Sequence, residues 1–197
     1  EGVSKLRPDR LAVYSFAHLP WMFKSHERAL RKENLPSADE KIGLYLEAIE
    51  HFSAEGYEMI GMDHFALPND ELAQAAKKRT LHRNFMGYTT LDGMNQIGLG
   101  VSAISDLGDS YWQNPKDLEE YMAQASDLVP HRRMFLDEDD RLRRTVIDKL
   151  MCNGEIPVAE LESKQGFSFR EYFHEAWPTL QGFEDEGLIN MAPDVIT

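Results

Sequence analysis

The sequence is poor in cysteine. Cys152 is the only one among 197 residues, which excludes an intrachain disulfide and any cysteine-only metal or iron–sulfur site built from this chain alone. We therefore assign no metal ligands. An isolated cysteine beside an apolar residue such as Met151 is more often a small buried hydrophobe than a nucleophile, so we expect Cys152 to lie in the core. A lone free thiol also indicates a reducing compartment.

Long apolar runs and excess positive charge are also missing. No segment approaches the roughly 18 consecutive apolar residues of a membrane span, and no basic and apolar leader is visible, so we expect a soluble, cytoplasmic protein. The 34 acidic residues outnumber the 21 basic ones, for a net charge of -13. This charge disfavours partners such as nucleic acid and anionic membranes. The first residue is Glu1 rather than methionine, so we expect the numbering to begin inside a longer protein.

The first half of the chain alternates strand and helix patterns, and its hydrophobic content of 42% suffices for a core. The nearly continuous apolar run 11–16 predicts a buried parallel strand. Ser37 and Glu40 predict a capping box for a helix that Gly56 ends, and 57–62 predicts a second strand. Because a strand, a helix and a strand of this length fit a right-handed crossover, the predicted fold class is α/β, or α+β for the whole chain.

Shorter patterns follow these elements. Asn69 is expected to cap a short helix, and 84–93 is a loop rich in glycine and threonine. The run 97–104 predicts a third strand, in which Gly98 and Gly100 would permit a close approach of backbone.

Helical patterns dominate from Asn114 onwards. Asn114 and Pro115 occupy the preferred cap and first-turn positions of a helix. We therefore place a domain boundary here, which gives regions 1–113 and 114–197.

The second region is predicted to contain helices at 137–152, after Pro157 and from Ser168, followed by an apolar strand start after Gly187. Three helices and a strand in this order resemble a winged-helix module. The acidic run 137–140 favours a helix N-terminus over a metal site. The neighbouring basic residues are expected to form a solvated, salt-bridged surface: His131, Arg132, Arg133, Arg141, Arg143 and Arg144.

Three polar residues follow predicted strands, where α/β sheets bind ligands, and they are our candidate catalytic residues: His18, Asp63 and His64. A histidine in the position of His18 more often has a structural role, in which its ring hydrogen-bonds a carbonyl group, than a ligand-binding role. For Asp63 and His64 the structural and ligand-binding interpretations are about even. Adjacent side chains on a strand face opposite ways, so these two can form a dyad only if the strand has already ended.

Five segments resemble, in order, motifs of the oxygen-independent coproporphyrinogen III oxidases. They are the AHLP core of residues 14–20, IGMDHFALP at 60–68, LHRNFMGYTT at 81–90, GLGVSAIS at 98–105 and VIDKLMCN at 146–153. The related radical-barrel haem chaperones carry an SNFA strand end and an HNxxYW loop instead, which favours the oxidase. A haem-trafficking protein remains the alternative, and a winged-helix interaction module is a third candidate that the negative charge weakens as a nucleic-acid binder.

The resemblance implies an oxidoreductase of haem biosynthesis that converts two propionates of coproporphyrinogen III to vinyl groups, giving protoporphyrinogen IX. It implies a radical S-adenosylmethionine enzyme with a [4Fe-4S] cluster held by a C-x3-C-x2-C motif, which this chain lacks. The family sequence continues beyond Thr197 with a segment like VTAKGRLLIRN, so we expect both ends to be cut. The chain would be the last part of a three-quarter radical β/α barrel plus most of a helical C-terminal domain, inactive without the N-terminal barrel half.

The resemblance also implies residues that contact S-adenosylmethionine. By motif match these are Ala17, Phe85, Met86 and Ile104. The family has glutamine where this chain has Met86, so an amide that donates and accepts hydrogen bonds is replaced by a thioether. Small Ala17 would let the ligand approach the backbone, while Phe85 and Ile104 would form apolar walls.

Overall fold

A computed structural model of the chain describes residues 2–19, 21, 35–124 and 130–197. The fold is mixed α/β and divides into two compact units, Glu1–Thr80 and Leu81–Thr197. The domain boundary predicted between residues 113 and 114 stays a prediction. One sheet of the second unit extends across that position, since Gln113 pairs with Arg132.

The first unit contains short strands around one long helix. Its described elements are α1 (Gly2–Leu6), β1 (Arg10–Ala12), α2 (Ala38–Ala54), β2 (Glu58–Ile60), β3 (His64–Ala66) and α3 (Glu71–Lys77). The predicted capping box of α2 is confirmed, because Glu40 N donates to Ser37 Oγ and Ser37 N donates to a Glu40 carboxylate oxygen. The helix ends at Ala54, just before Gly56 adopts a φ of 87°.

The sheet of this unit has the order β1-β3-β2 and is antiparallel throughout. The prediction of a parallel strand over 11–16 is therefore wrong: the strand is Arg10–Ala12, and residues 13–19 are irregular. The physical reason is the turn between β2 and β3, which is too short for a crossover and makes β3 the antiparallel neighbour of β2. Because β1 also pairs with β3, β1 and β2 run in the same direction with β3 between them.

The core of the first unit forms where this sheet meets the two longer helices. Phe65, Ile60 and Leu72 are almost completely buried, and the ring of Phe65 packs 5.3 Å from that of Phe52 on α2. The helix α3 is capped by Asp70, whose carboxylate accepts from Leu72 N at 2.8 Å, and not by Asn69 as predicted. Asp70 also accepts a hydrogen bond from Arg10 Nε at 2.8 Å.

The second unit has two sheets and five helices among its described residues. Its elements are β4 (His82–Asn84), β5 (Gly87–Thr89), β6 (Ile104–Asp106), β7 (Ser110–Gln113), α4 (Leu118–Gln124), β8 (Arg132–Phe135), α5 (Glu138–Asn153), α6 (Val158–Gln165), α7 (Phe169–Tyr172) and α8 (Trp177–Asp185). Strands β4 and β5 pair antiparallel, and β6, β7 and β8 form an antiparallel sheet in that order. The predicted loop over 84–93 is thus in part a β-hairpin.

The strand predicted over 97–104 is wrong except for its last residue. Residues 97–103 form an irregular segment, in which Gly100 has a φ of 102°, far from the negative φ of a regular strand. The side chain of Asn114 holds this segment by donating to the carbonyl oxygens of Gly98 and Gly100, at 3.0 and 2.9 Å. The predicted role of Asn114 as a helix cap is therefore also wrong. Asp117 lies before the helix instead and accepts from Glu120 N.

The C-terminal helices largely follow the predictions. Asp137 and Asp140 form a capping box at the start of α5, which confirms the helical interpretation of the acidic run. The helix predicted from Ser168 is α7, and Ser168 is its cap. Helices α6 and α7 contribute to a buried cluster, Ile156, Val158, Leu161, Phe169 and Ile196.

The apolar residues Leu188 and Ile189 do not begin a strand. They lie in an irregular segment that leads to isolated bridges between Met191 and Ile196 and between Ile156 and Ile196. Single bridges form here because Ile196 meets each partner at one position only.

Candidate functional site

The hairpin tip between β4 and β5 presents Phe85 and Met86. These two residues connect Asn84 to Gly87, which face each other across the hairpin. The turn is fixed locally because Met86 N donates to Asn84 Oδ1 at 2.8 Å and Gly87 adopts a φ of 124°. Phe85 and Met86 are 52% and 82% exposed, so both side chains remain accessible to a ligand.

Phe85 lies against the sheet that contains Ile104. Its ring meets the ring of Tyr111 edge-on, at 5.2 Å and 85°. In the antiparallel register Tyr111 is opposite Asp106 and Gln113 is opposite Ile104. Opposite residues, and residues two apart on one strand, share a face. The structure therefore brings Phe85 to the same face of the sheet as Ile104.

The hairpin is joined to helix α5 by its other side chains. Buried Tyr88 donates from its hydroxyl to the carbonyl oxygen of Met151 at 3.0 Å. His82 Nδ1 lies 3.4 Å from Asp148 Oδ2, and the other oxygen of that carboxylate accepts from Cys152 Sγ at 3.5 Å. These contacts orient the tip through a rigid helix.

Cys152 is buried, which confirms its predicted place in the core. Burial, followed by the nearby Asp148 carboxylate, raises the pKa of the Cys152 thiol to about 12. The thiol is therefore protonated at neutral pH and is a poor nucleophile or metal ligand.

Arg144 on α5 is part of the same arrangement. Its two terminal nitrogens donate to the two carboxylate oxygens of Asp106, at 2.6 and 3.2 Å, and its guanidinium lies 5.3 Å from the centre of the Tyr111 ring. Burial raises the pKa of Tyr111. The predicted solvated surface fits Arg143, which pairs with exposed Asp139. The Arg144 side chain is also 40% exposed and ion-paired, but its partner Asp106 is only 8% exposed.

Sequence reasoning missed Asp106 and Tyr111. Asp106 directly follows the GLGVSAIS motif, and Tyr111 lies two residues after the Gly108–Asp109 turn signal. Their pairing depends on the register of β6 and β7, which no local pattern specifies.

The remaining candidate for cofactor contact, Ala17, lies in the first compact unit. It belongs to the irregular segment after β1, where Ala17 and Phe16 are exposed and His18 is half-buried. Phe85, Met86 and Ile104 belong to the second unit. A common site for Ala17 and these residues stays a prediction.

Asp63 and His64 form a hydrogen-bonded pair. Asp63 Oδ1 lies 2.7 Å from His64 Nδ1, and both side chains are half-buried. The condition for a dyad is met, because β2 ends at Ile60 and Asp63 lies in the turn before β3. The carbonyl oxygen of Asp63 accepts from Val13 N at 2.7 Å, which anchors the pair to the end of β1. A carboxylate at Nδ1 orients the ring and favours a proton on that nitrogen.

Two kinds of feature are absent from the described residues. There, no group of three or more His, Cys, Asp or Glu side chains is placed to hold a metal ion. Over those same stretches of chain, no helix has the length and hydropathy to cross a membrane. The single cysteine does not fit a cluster that requires three thiolates, so cluster ligation is not a property of this chain's residues.

Comparison with known proteins shows which proteins the chain is similar to. The chain is 44% identical over 193 residues to the oxygen-independent coproporphyrinogen III oxidase of Pseudomonas aeruginosa, covering 97% of this chain and 42% of that protein. The Escherichia coli K12 protein of the same name is 41% identical over 191 residues, with 96% and 42% covered. The chain is homologous to part of the oxygen-independent coproporphyrinogen III oxidases. Residues 136–194 also match the family described as the HemN C-terminal domain.

A solved structure agrees with this assignment. The coproporphyrinogen III oxidase HemN from Escherichia coli, described as a radical SAM enzyme, superposes with a TM-score of 0.92 at 40% identity, covering 100% of this chain and 45% of that one. The resemblance drawn from the five motifs is thereby confirmed. The chain spans about two fifths of the length of these oxidases.

Proposed function

We propose that this chain is part of an oxygen-independent coproporphyrinogen III oxidase that converts two propionates of coproporphyrinogen III to vinyl groups. Each conversion removes CO2, one hydrogen atom and one electron from a propionate side chain, and the electron must pass to a separate electron acceptor. The observation that carries the proposal is the TM-score of 0.92 with the HemN enzyme over the whole chain, at 40% identity. Coproporphyrinogen III would be the substrate, and the N-terminal half of the barrel would be the partner of this chain.

The finer architecture is part of the proposal. Residues 1–113 would be the last strands and helices of a three-quarter radical barrel, and residues 114–197 a mainly helical, winged-helix-like domain. The match of residues 136–194 to the HemN C-terminal domain supports the second assignment. So does the succession of helices from α5 onwards.

S-adenosylmethionine would bind against Ala17, Phe85, Met86 and Ile104. The shared face of Phe85 and Ile104 supports an apolar wall for the adenine or methionyl group. Met86 would contribute packing through its thioether rather than a hydrogen bond. When bound, S-adenosylmethionine together with a [4Fe-4S] cluster supplies the radical that accepts the hydrogen atom. The cluster ligands would lie outside this chain.

His18, Asp63 and His64 are the candidate catalytic residues. The Asp63–His64 pair, at 2.7 Å, supports a role in orienting substrate. His18 lies in the irregular segment after β1, and we assign no specific role to it.

The test is an anaerobic assay of the longest natural polypeptide that contains this sequence, with S-adenosylmethionine, a reductant and an electron acceptor. We expect protoporphyrinogen IX to form, and Phe85→Ala and Ile104→Ala to raise the KM for S-adenosylmethionine. Absence of decarboxylation by cluster-loaded protein, together with a stable Soret band on haem titration, would contradict the oxidase and favour haem trafficking.

A further inference from the structure

We infer that Arg144 is a positioning residue for S-adenosylmethionine, because it holds Phe85 and Ile104 on a common face. The inference rests on the proposed function and assigns a role to a helix that supplies none of the proposed ligand contacts. Arg144 lies on α5, within the residues that match the HemN C-terminal domain. The C-terminal region would therefore support the cofactor wall.

The first connection runs from Arg144 to the strand that carries Ile104. Both oxygens of Asp106 accept from the Arg144 guanidinium, at 2.6 and 3.2 Å. Gly108 N donates to Asp106 Oδ1 at 3.0 Å, and Arg144 donates to the Gly108 carbonyl oxygen at 3.2 Å. A bidentate pair with a planar guanidinium fixes direction as well as distance. The Arg144 side chain therefore fixes β6 and its turn to α5.

The second connection runs from Arg144 to Phe85. The guanidinium lies 5.3 Å from the centre of the Tyr111 ring, and the Phe85 ring meets Tyr111 edge-on at 5.2 Å. Tyr111 is also opposite Asp106 in the β6–β7 register. One side chain thus restrains both the strand of Ile104 and the ring that supports Phe85.

Loss of Arg144 would leave the buried Asp106 carboxylate with fewer donors. A buried carboxylate that loses its partner becomes hydrated or moves, which would release β6 and Tyr111 together. Lysine preserves the charge but offers neither the bidentate geometry nor the planar stacking group. Compared with Arg144→Gln, Arg144→Lys should therefore recover more of the parent's stability than of the parent's Phe85 position.

Arg143 is the matched control. It precedes Arg144 on the same helix, pairs with the exposed carboxylate of Asp139 at 2.8 Å, and lies 5.4 Å from the Phe173 ring. Its contacts are of the same chemical kind, but they do not include Phe85, Tyr111 or β6.

The experiment compares Arg144→Gln, Arg144→Lys and Arg143→Gln in the longest natural polypeptide that contains this chain. Arg144→Gln should raise both the KM for S-adenosylmethionine and its Kd, measured by equilibrium dialysis in the absence of substrate, by about tenfold, the magnitude of about one charged hydrogen bond, with a smaller change in kcat. Arg144→Lys should show most of that increase, and Arg143→Gln should stay within about twofold of the parent. A fall in kcat at unchanged KM for Arg144→Gln would mean a merely structural role and would overturn the inference.

A double-mutant cycle gives a second, independent readout. Arg144→Gln and Phe85→Ala should raise the KM non-additively if they act on one wall, and additive effects would contradict the inference. If Arg144→Gln does not fold, Tyr111→Leu serves instead, because it breaks the connection to Phe85 without touching Asp106. An unchanged KM in Tyr111→Leu would likewise overturn the inference.

Failure of the proposed cofactor site is distinguishable from failure of this inference. If Phe85→Ala and Ile104→Ala leave the KM for S-adenosylmethionine unchanged, the proposed cofactor wall is wrong. If both raise the KM while Arg144→Gln does not, the wall is right and the role of Arg144 is wrong.

Discussion

The hydroxyl of Tyr88 donates a hydrogen bond to the backbone carbonyl of Met151, 3.0 Å away and 63 residues later in the sequence. Met151 lies in the last turn of α5, where helix carbonyls lack intrahelical donors. We expect Tyr88→Phe to lower the free energy of unfolding by about 0.5–1.5 kcal/mol, the value of one hydrogen bond. Urea titration of the chain measures it. The exposed Tyr14→Phe should change stability by less than about 0.5 kcal/mol, and an equal loss in both variants would contradict the role of Met151.

Alanine substitutions at Gly98 and at Gly43 should change the free energy of unfolding in opposite directions. A Cβ at Gly98 would lie 2.7 Å from the Ile104 carbonyl oxygen, whereas a Cβ at Gly43 would meet nothing within 4 Å. We expect Gly98→Ala to lower the free energy of unfolding by about 1–3 kcal/mol through overpacking. Gly43→Ala, inside α2, should raise it by about 0.5–1 kcal/mol. Chemical denaturation of the two variants checks both signs, and a neutral Gly98→Ala would refute the close approach.

Cys152 should make stability fall at alkaline pH. Burial raises the pKa of its thiol from 9.0 to about 12 in the folded chain. Above about pH 9 the unfolded chain loses a proton that the folded chain retains, so this contribution is complete below that pH and decreases as the pH rises towards 12. Urea unfolding at about pH 8 and about pH 10 should show a smaller pH dependence for Cys152→Ala than for the parent. Identical slopes would mean that the thiol is not shielded in the fold.

The capping box of α5 should contribute measurably to the stability of the second unit. Asp137 accepts from Asp140 N at 2.8 Å, so Asp137→Ala removes a cap and should cost about 1 kcal/mol. Glu138→Ala removes an acidic side chain from the same turn but leaves the cap intact. It should cost less, since only the favourable interaction with the helix dipole is lost. Thermal unfolding followed by circular dichroism ranks the two, and the reverse order would show that charge rather than capping is decisive.

Met86→Gln, which introduces the residue typical of the family, should be tolerated. The side chain is 82% exposed at the hairpin tip, so the stability of the chain should change by less than about 0.5 kcal/mol. In the longest natural polypeptide, turnover should remain within about tenfold of the parent, because one neutral hydrogen bond is worth about 0.5–1.5 kcal/mol. Turnover assays with saturating S-adenosylmethionine provide the measurement. Complete loss of turnover would mean that the thioether has a specific role.

Much of the helical structure was predictable because its signals are local. The capping boxes at Ser37 and Asp137 each involve backbone and side-chain groups three residues apart, so a short stretch of sequence specifies where the helix begins. The core position of Cys152 was predictable in the same way, from its apolar neighbourhood. The motif matches identified the family, since long motifs in order retain information that composition and periodicity lose.

The sheets and the supports of the candidate site were decided by tertiary structure. The pairing of Leu11 with Phe65 made β1 antiparallel, and the loop that contains Gly98 and Gly100 drew Asn114 away from the helix terminus it was expected to cap. Arg144 could equally have been a surface arginine, until the chain placed Asp106 beside it across 38 residues of sequence. Such partners are distant along the chain, and register and burial select them only when the backbone closes on itself. Local sequence patterns therefore specified the helix starts at Ser37 and Asp137, and the motifs specified the resemblance. Folding decided the strand direction and the neighbours of Phe85 and Ile104.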